Sequence, residues 1–157
     1  MPRSNRSLPL RLGATLLAAV LVAVIAVAVI SDGGEKEPTV AEAGETLKAH
    51  VLKLFDELRA RNIQVIDPGG RDIPCEDGKA KRTFAATGLD ISPERMPDIL
   101  NNIMIGAMGR VADYNITDTS GAAVRMENEP AKTVILLNST KNGQYSAQGE
   151  TQCLSRS

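Results

Sequence analysis

Aromatic side chains are scarce in this chain of 157 residues: tryptophan is absent, and tyrosine and phenylalanine occur twice each. Large rings commonly supply the stacking platforms for single-stranded nucleic acids and the anchors of protein interfaces. A core made without them must come from aliphatic residues and methionine. The scarcity therefore argues against a carbohydrate cleft or a nucleic-acid surface.

Metal-binding and catalytic side chains are equally scarce, with one histidine, His50, and two cysteines in the sequence. Zinc needs three or four nitrogen or sulfur ligands, which this set does not supply once the cysteines are paired. The sequence contains no nucleophile elbow, phosphate-binding loop or dinucleotide-binding glycine motif. His50 falls on the polar side of a predicted helix, where we expect it to be solvated. We therefore predict no catalytic residue, no metal and no cofactor.

The charge balance excludes another class of partner. The formal net charge is -1, and three arginines, Arg3, Arg6 and Arg11, precede every acidic residue. Without these three, acidic residues outnumber basic ones by 19 to 15. A mildly acidic body does not attract phosphate backbones, so we predict no nucleic-acid partner.

A long apolar run, residues 13–30, contains neither charge nor proline. As a helix it would be about 27 Å long, close to the ~30 Å hydrocarbon core of a bilayer. Basic residues 1–12 precede it and a polar tether, residues 31–38, follows it, so the positive-inside rule puts residues 39–157 outside the cell. We predict a single-pass membrane anchor. The alternative is a signal peptide cleaved near Ala28, which would release a secreted protein.

Hydrophobic periodicity in residues 39–157 predicts an α+β domain. Two amphipathic helices are predicted, one from Thr39 to Arg61 and one that begins at Ser92-Pro93 and stops or kinks at Gly106 or Gly109. The predicted strands are Ile63–Ile66, Lys79–Gly88, Tyr114–Thr117, Ala123–Glu127, Lys132–Asn138 and Gln144–Cys153. The nearly continuous apolar strand Lys132–Asn138 is expected at the centre of the sheet. The predicted architecture is a small antiparallel sheet covered on one face by two helices.

Cys75 and Cys153 are the only cysteines. In an exported chain an even number of cysteines favours a disulfide. Closing a loop of this length would stabilise the fold by about 4–5 kcal/mol in the loop-entropy model. Redox cysteines usually lie close together in sequence, as in C-x-x-C. We therefore predict a structural disulfide between Cys75 and Cys153.

The order of these features suggests a class of protein. Three arginines, an Ala/Val-rich run, a polar tether, an amphipathic helix and one widely spaced cysteine pair follow one another, with Pro74-Cys75 and Gly149-Glu150-Thr151-Gln152-Cys153 around the cysteines. This layout resembles that of small exported or membrane-anchored actinobacterial proteins of unknown function. The resemblance implies a location in the cell envelope and no established activity.

Targeting signals without a catalytic constellation favour a non-enzymatic function. We predict a membrane-tethered accessory or protein-binding module of the cell envelope, held in the membrane by residues 13–30 and bound to another envelope protein. The alternative is a small-molecule or lipid-binding module with a pocket between sheet and helices. In that alternative Met96, Met104 and Met108 of the second helix line the pocket, because methionine adapts to varied ligands.

Overall fold

A computed structural model describes residues 36–119 and 123–157 of the chain. The predicted N-terminus (residues 1–12), the apolar segment (residues 13–30, with its cleavage site near Ala28) and the tether up to residue 35 lie outside the described residues. Within the described ranges, neither helix combines the length and the hydropathy that a membrane span requires.

The described residues form two α-helices, α1 (Val40–Glu57) and α2 (Pro97–Met108). A capping box begins α1: the Thr39 side chain accepts from the Glu42 backbone, and the Glu42 carboxylate accepts from the Thr39 N–H at 2.8 Å. Helix α1 ends before the predicted Arg61, because Arg59 adopts a positive φ of 50°. Helix α2 ends at Gly109, one of the two predicted stops.

The start of α2 was predicted wrongly. Ser92-Pro93 lies in a turn, and the helix begins at Pro97 with Met96 as its N-cap residue. The turn is retained because its backbone groups are already bonded: the Arg95 N–H donates to the Ser92 carbonyl at 3.1 Å, and the Arg95 carbonyl accepts from the Gly143 N–H at 2.8 Å.

Eight strands complete the described fold: β1 (Arg61–Asp67), β2 (Ile73–Pro74), β3 (Ala80–Lys81), β4 (Thr83–Leu89), β5 (Asn115–Asp118), β6 (Val124–Asn128), β7 (Thr133–Leu137) and β8 (Gln144–Thr151). Six of them form one antiparallel sheet in the order β1-β4-β8-β7-β6-β5, and β2 pairs with β3 in a separate ribbon. The predicted α+β class with an antiparallel sheet and two helices is confirmed. The predicted central position of β7 in the sheet is also confirmed.

The predicted strand Lys79–Gly88 is in fact two strands that separate at Arg82. The Arg82 N–H donates to the Thr151 side chain at 3.0 Å, and its carbonyl accepts from the Thr151 N–H at 2.8 Å. This side-chain bond replaces a regular ladder contact. As a result β3 pairs with β2, whereas β4 continues into the main sheet beside β8.

Both helices pack on one face of the sheet and enclose the main core. Helix α1 contributes Leu47, Val51, Leu54 and Phe55, and α2 contributes Leu100, Met104, Ala107 and Met108. Two strand glycines let α1 approach closely. A Cβ at Gly149 would lie 2.5 Å from the Leu47 side chain, and one at Gly88 would lie 3.0 Å from the Phe55 ring. Among the described residues, no helix covers the opposite face of the sheet, which we call the open face.

The predicted disulfide between Cys75 and Cys153 is confirmed, with the two Cα atoms 6.1 Å apart. It joins the residue after β2 to the segment that follows β8. Beside it, Leu154 and Ala80 exchange backbone hydrogen bonds of 2.9 and 3.0 Å, and the Val40 N–H donates to the Ser155 carbonyl at 2.8 Å. A small second cluster of Val40, Ala43, Ala80 and Leu154 is buried here. This end of the sheet therefore also holds the start of α1.

Candidate functional site

A buried ion pair organises the turn between β4 and α2. Asp90 is 4% exposed, and its Oδ2 lies 2.6 Å from Nη1 of Arg95. Its Oδ1 accepts a hydrogen bond of 2.9 Å from the Tyr145 hydroxyl. Burial raises the pKa of Tyr145 to about 12, with the bond to Asp90 and its negative charge acting in the same direction. A carboxylate this deeply buried needs such partners, because its desolvation is otherwise costly.

Backbone bonds hold the same turn against the hairpin that precedes β8. The Asp90 N–H donates to the Gly143 carbonyl at 2.9 Å, and Nη2 of Arg61 donates to the Asp90 carbonyl at 3.1 Å. Gly143 has a φ of +64°, and a Cβ there would lie 2.5 Å from the backbone of Pro93. Only glycine satisfies both conditions. The hairpin turn at Asn142-Gly143 therefore also packs against the 90–96 turn.

Large apolar side chains project from this fixed segment. Four of them are exposed: Leu89 at 39%, Ile91 at 75%, Met96 at 57% and Ile99 at 43%. We call residues 89–99 the 89–99 surface. Glu94 and Asp98 are exposed within it. Single exposed apolar residues are ordinary, whereas several on one short segment mark interaction sites. The segment is therefore a candidate protein-binding surface with an acidic margin.

The three predicted pocket residues do not lie together. Met104 and Met108 are fully buried in the core cluster between α2 and the sheet, whereas Met96 belongs to the 89–99 surface. The pocket between sheet and helices remains a prediction from the sequence. Met96 is 57% exposed, so it is available to a partner at the surface.

His50 is not the solvated residue that the sequence predicted. It is half-buried, and its Nδ1 lies 3.1 Å from the hydroxyl of Tyr114, the residue before β5. The Tyr114 hydroxyl in turn lies 2.7 Å from Oγ1 of the buried Thr133. Burial lowers the pKa of His50, as does the charge of Lys53. Burial also raises the pKa of Tyr114 to about 12. The prediction was wrong because Tyr114, 64 residues further along the chain, covers this part of α1.

Two neighbouring cavities share Asp67 and Thr83 as lining residues. One, of about 480 Å³, lies on the open face over β4, β8 and β7, and we call it the open-face cavity. The other, of about 420 Å³, lies beside the 68–74 loop. The Asp67 carboxylate accepts from the Thr83 hydroxyl at 2.5 Å and from the Gly69 N–H at 2.9 Å. These bonds, led by that of Thr83, lower the pKa of Asp67. The sequence did not predict either cavity.

Within the part of the chain that the structure describes, no group of three or more histidine, cysteine, aspartate or glutamate side chains is placed to hold a metal ion. Comparisons of the chain with protein-family models, with curated proteins and with solved structures find no match.

Proposed function

We propose that residues 39–157 form a non-enzymatic protein-binding module of the cell envelope. Residues 13–30 would anchor it as a single membrane span with the N-terminus in the cytoplasm. Cleavage near Ala28, with secretion, is the alternative. The apolar run with its arginine-rich flank supports the membrane attachment. The disulfide between Cys75 and Cys153 supports an oxidising location, because such bonds are rare in the cytosol.

The 89–99 surface is the observation that carries this proposal. Fully burying an Ile, Leu or Met side chain gains about 1.5–3 kcal/mol, so an apolar pocket on a partner would gain several kcal/mol from this segment. The Asp90–Arg95 ion pair and the bonds to Gly143 already fix the segment, so binding need not order it. Glu94 and Asp98 favour a partner with basic side chains around its pocket.

The position of the surface also fits a tethered module. The chain enters the domain at Val40, next to Ser155 and the disulfide end of the sheet. The 89–99 surface follows β4 at the other end. Helix α1, of 18 residues, extends about 27 Å between these ends. The 89–99 surface therefore lies at the end of α1 opposite to Val40. At that end it would be accessible to another envelope protein.

Site-specific photo-crosslinking in the native membrane tests the proposal. A photoreactive residue at Ile91 or Met96 of the full-length chain should yield the same partner adduct. The exposed Lys48 on α1 is the control position and should not yield it. Replacing Ile99 by Asp should abolish the adduct from Met96 while leaving the thermal unfolding of the domain unchanged. Equal adducts from all three positions, or insensitivity to Ile99→Asp, would contradict the proposal.

A further inference from the structure

The open-face cavity has an apolar floor that helix packing does not explain. Val134 of β7 is 6% exposed although it lies on the open face of the sheet. One cross-strand row consists of Ala85, Gln148 and Leu136, since Gln148 pairs with both of the others. Gln148 lies between Ala85 and Leu136, and the short side chain of Ala85 leaves room beside it in the cavity of about 480 Å³. That volume lies within the usual range of small-molecule sites.

Most of the charges around this cavity are already paired. Nε of Arg125 lies 3.1 Å from Oε1 of Glu127, and Nζ of Lys81 lies 2.7 Å from Oε2 of Glu150. Asp67 differs, because it forms no ion pair with any described residue. Arg71 influences it only through its charge. The unmatched charge at the cavity is therefore negative.

The Asp67 carboxylate is also held in place by hydrogen bonds before any ligand binds. Each oxygen accepts one bond, Oδ1 from the Gly69 N–H and Oδ2 from the Thr83 hydroxyl. Gly69 has a φ of +70°, and a Cβ there would lie 2.5 Å from the Thr83 carbonyl oxygen, so the loop requires glycine to make its contact. Two accepted bonds favour the ionised form and leave lone pairs for further donors.

We propose that the open-face cavity binds a small amphiphilic cation, with an apolar body over Ala85, Val134 and Leu136 and a primary ammonium group on Asp67. An ammonium group carries three donors and forms charge-assisted hydrogen bonds with a carboxylate. The apolar body removes the floor of the cavity from water. This site is separate from the 89–99 surface and does not depend on the protein-binding proposal.

The experiment uses the full-length protein in phosphatidylcholine nanodiscs, with hexylamine as the probe. Hexanol and hexanoate, which share the apolar chain but not the positive charge, are the matched controls. Methyl NMR signals of Ala85, Val134 and Leu136 report occupancy. Hexylamine should shift these signals saturably and bind at least about tenfold more tightly than hexanol. Equal affinities for hexylamine and hexanol would overturn the proposal.

Two variants at the same cavity locate the charge that matters. Asp67→Asn keeps an acceptor oxygen and the shape of the side chain but removes its negative charge. It should weaken hexylamine binding about tenfold. Glu150→Gln removes a carboxylate already paired with Lys81 and should change hexylamine affinity much less. If Asp67→Asn fails to fold, Ala85→Leu is the substitute, because it fills the cavity and leaves Asp67 intact. Unchanged hexylamine affinity in Asp67→Asn or Ala85→Leu would refute the site.

Discussion

The two ends of the sheet are held together by different chemistry. At one end the disulfide between Cys75 and Cys153 closes the fold beside the small cluster around Leu154. At the other, Asp90, Arg95 and Tyr145 form a buried polar contact below the 89–99 surface. The disulfide is effective although Cys153 is exposed, because a covalent bond does not depend on solvent exclusion. The ion pair needs burial, since exposed pairs contribute little. We therefore expect single substitutions in the contact of Asp90, Arg95 and Tyr145 to disturb the end of the sheet that has no covalent link.

Removing the disulfide should have the largest effect. Replacing Cys75 and Cys153 together by serine should lower the free energy of unfolding by about 4–5 kcal/mol, because the unfolded chain regains the freedom of a long closed loop. Urea unfolding of the full-length protein measures this. A loss below about 1 kcal/mol would show that the neighbouring contacts of Leu154 hold this end without the bridge.

Breaking the ion pair should come second. Arg95→Met leaves the Asp90 charge buried without its cation, which typically costs about 3–5 kcal/mol. Because the Arg95 side chain is 29% exposed, we expect a value near the lower figure. The control is Arg110→Met: Arg110 pairs with Glu57 but is 59% exposed, so the loss should stay below about 1 kcal/mol. If Arg95→Met and Arg110→Met lowered the free energy of unfolding equally, the buried pair would stabilise the fold no more than the exposed pair.

The tyrosine of the same contact should have a smaller effect. Tyr145→Phe removes one donor to Asp90 and should cost about 1–3 kcal/mol, the usual penalty for a buried group that loses its partner. The pKa of Tyr145 is raised to about 12, so the folded state retains the proton longer than the unfolded state, whose tyrosines titrate near their ordinary value of about 10. Stability should therefore fall as the pH rises from about 10 to 12.

Tyr145→Phe should make this alkaline loss smaller but not abolish it, because the pKa of Tyr114 is also raised to about 12. Chemical denaturation at a series of alkaline pH values, with the wild type alongside, checks the slope. A variant with the full wild-type slope would indicate that Tyr145 does not contribute to it.

Replacing His50, which lies between the two ends of the sheet, should have the smallest effect on stability. Its pKa is lowered, so the unfolded state binds the proton more readily than the folded state. The stabilisation is complete above the ordinary histidine pKa of about 6.5 and is lost as the pH falls below it. His50→Gln should flatten the dependence of stability on pH below about pH 6.5, measured by urea unfolding. A slope identical to that of the wild type would mean that carboxylates alone set the acid limit.

The sequence predicted those elements whose signals are local. The helical periodicity that begins at Thr39 predicted the start of α1, the nearly continuous apolar run predicted β7, and the cysteine count predicted the disulfide. The start of α2 was missed because the Arg95 carbonyl bonds to Gly143, a contact across 48 residues that no local pattern reveals. The 89–99 surface depends on the bond between Asp90 and Tyr145, which are 55 residues apart.

The sheet order was also beyond local patterns. Strand β8 lies between β4 and β7, so the open-face cavity combines residues of β4 with residues of β7 and β8, which follow β4 only after α2, β5 and β6. Alternation along each strand shows which side chains share a face, but it does not show which strands are neighbours. The cavity therefore could not be predicted from the sequence.

The place of β8 in the sheet has a consequence for synthesis. It is the last of the described strands in chain order, yet β4 and β7 both pair with it, and α1 packs on it. A polypeptide emerging from the ribosome N-terminus first can pair β4 with β1, but the other edge of β4 has no partner until residues 144–151 have been made. Long-range pairing of this kind is slow to form. The main sheet should therefore not close until residues 144–151 have been made, a condition compatible with threading through a translocation channel.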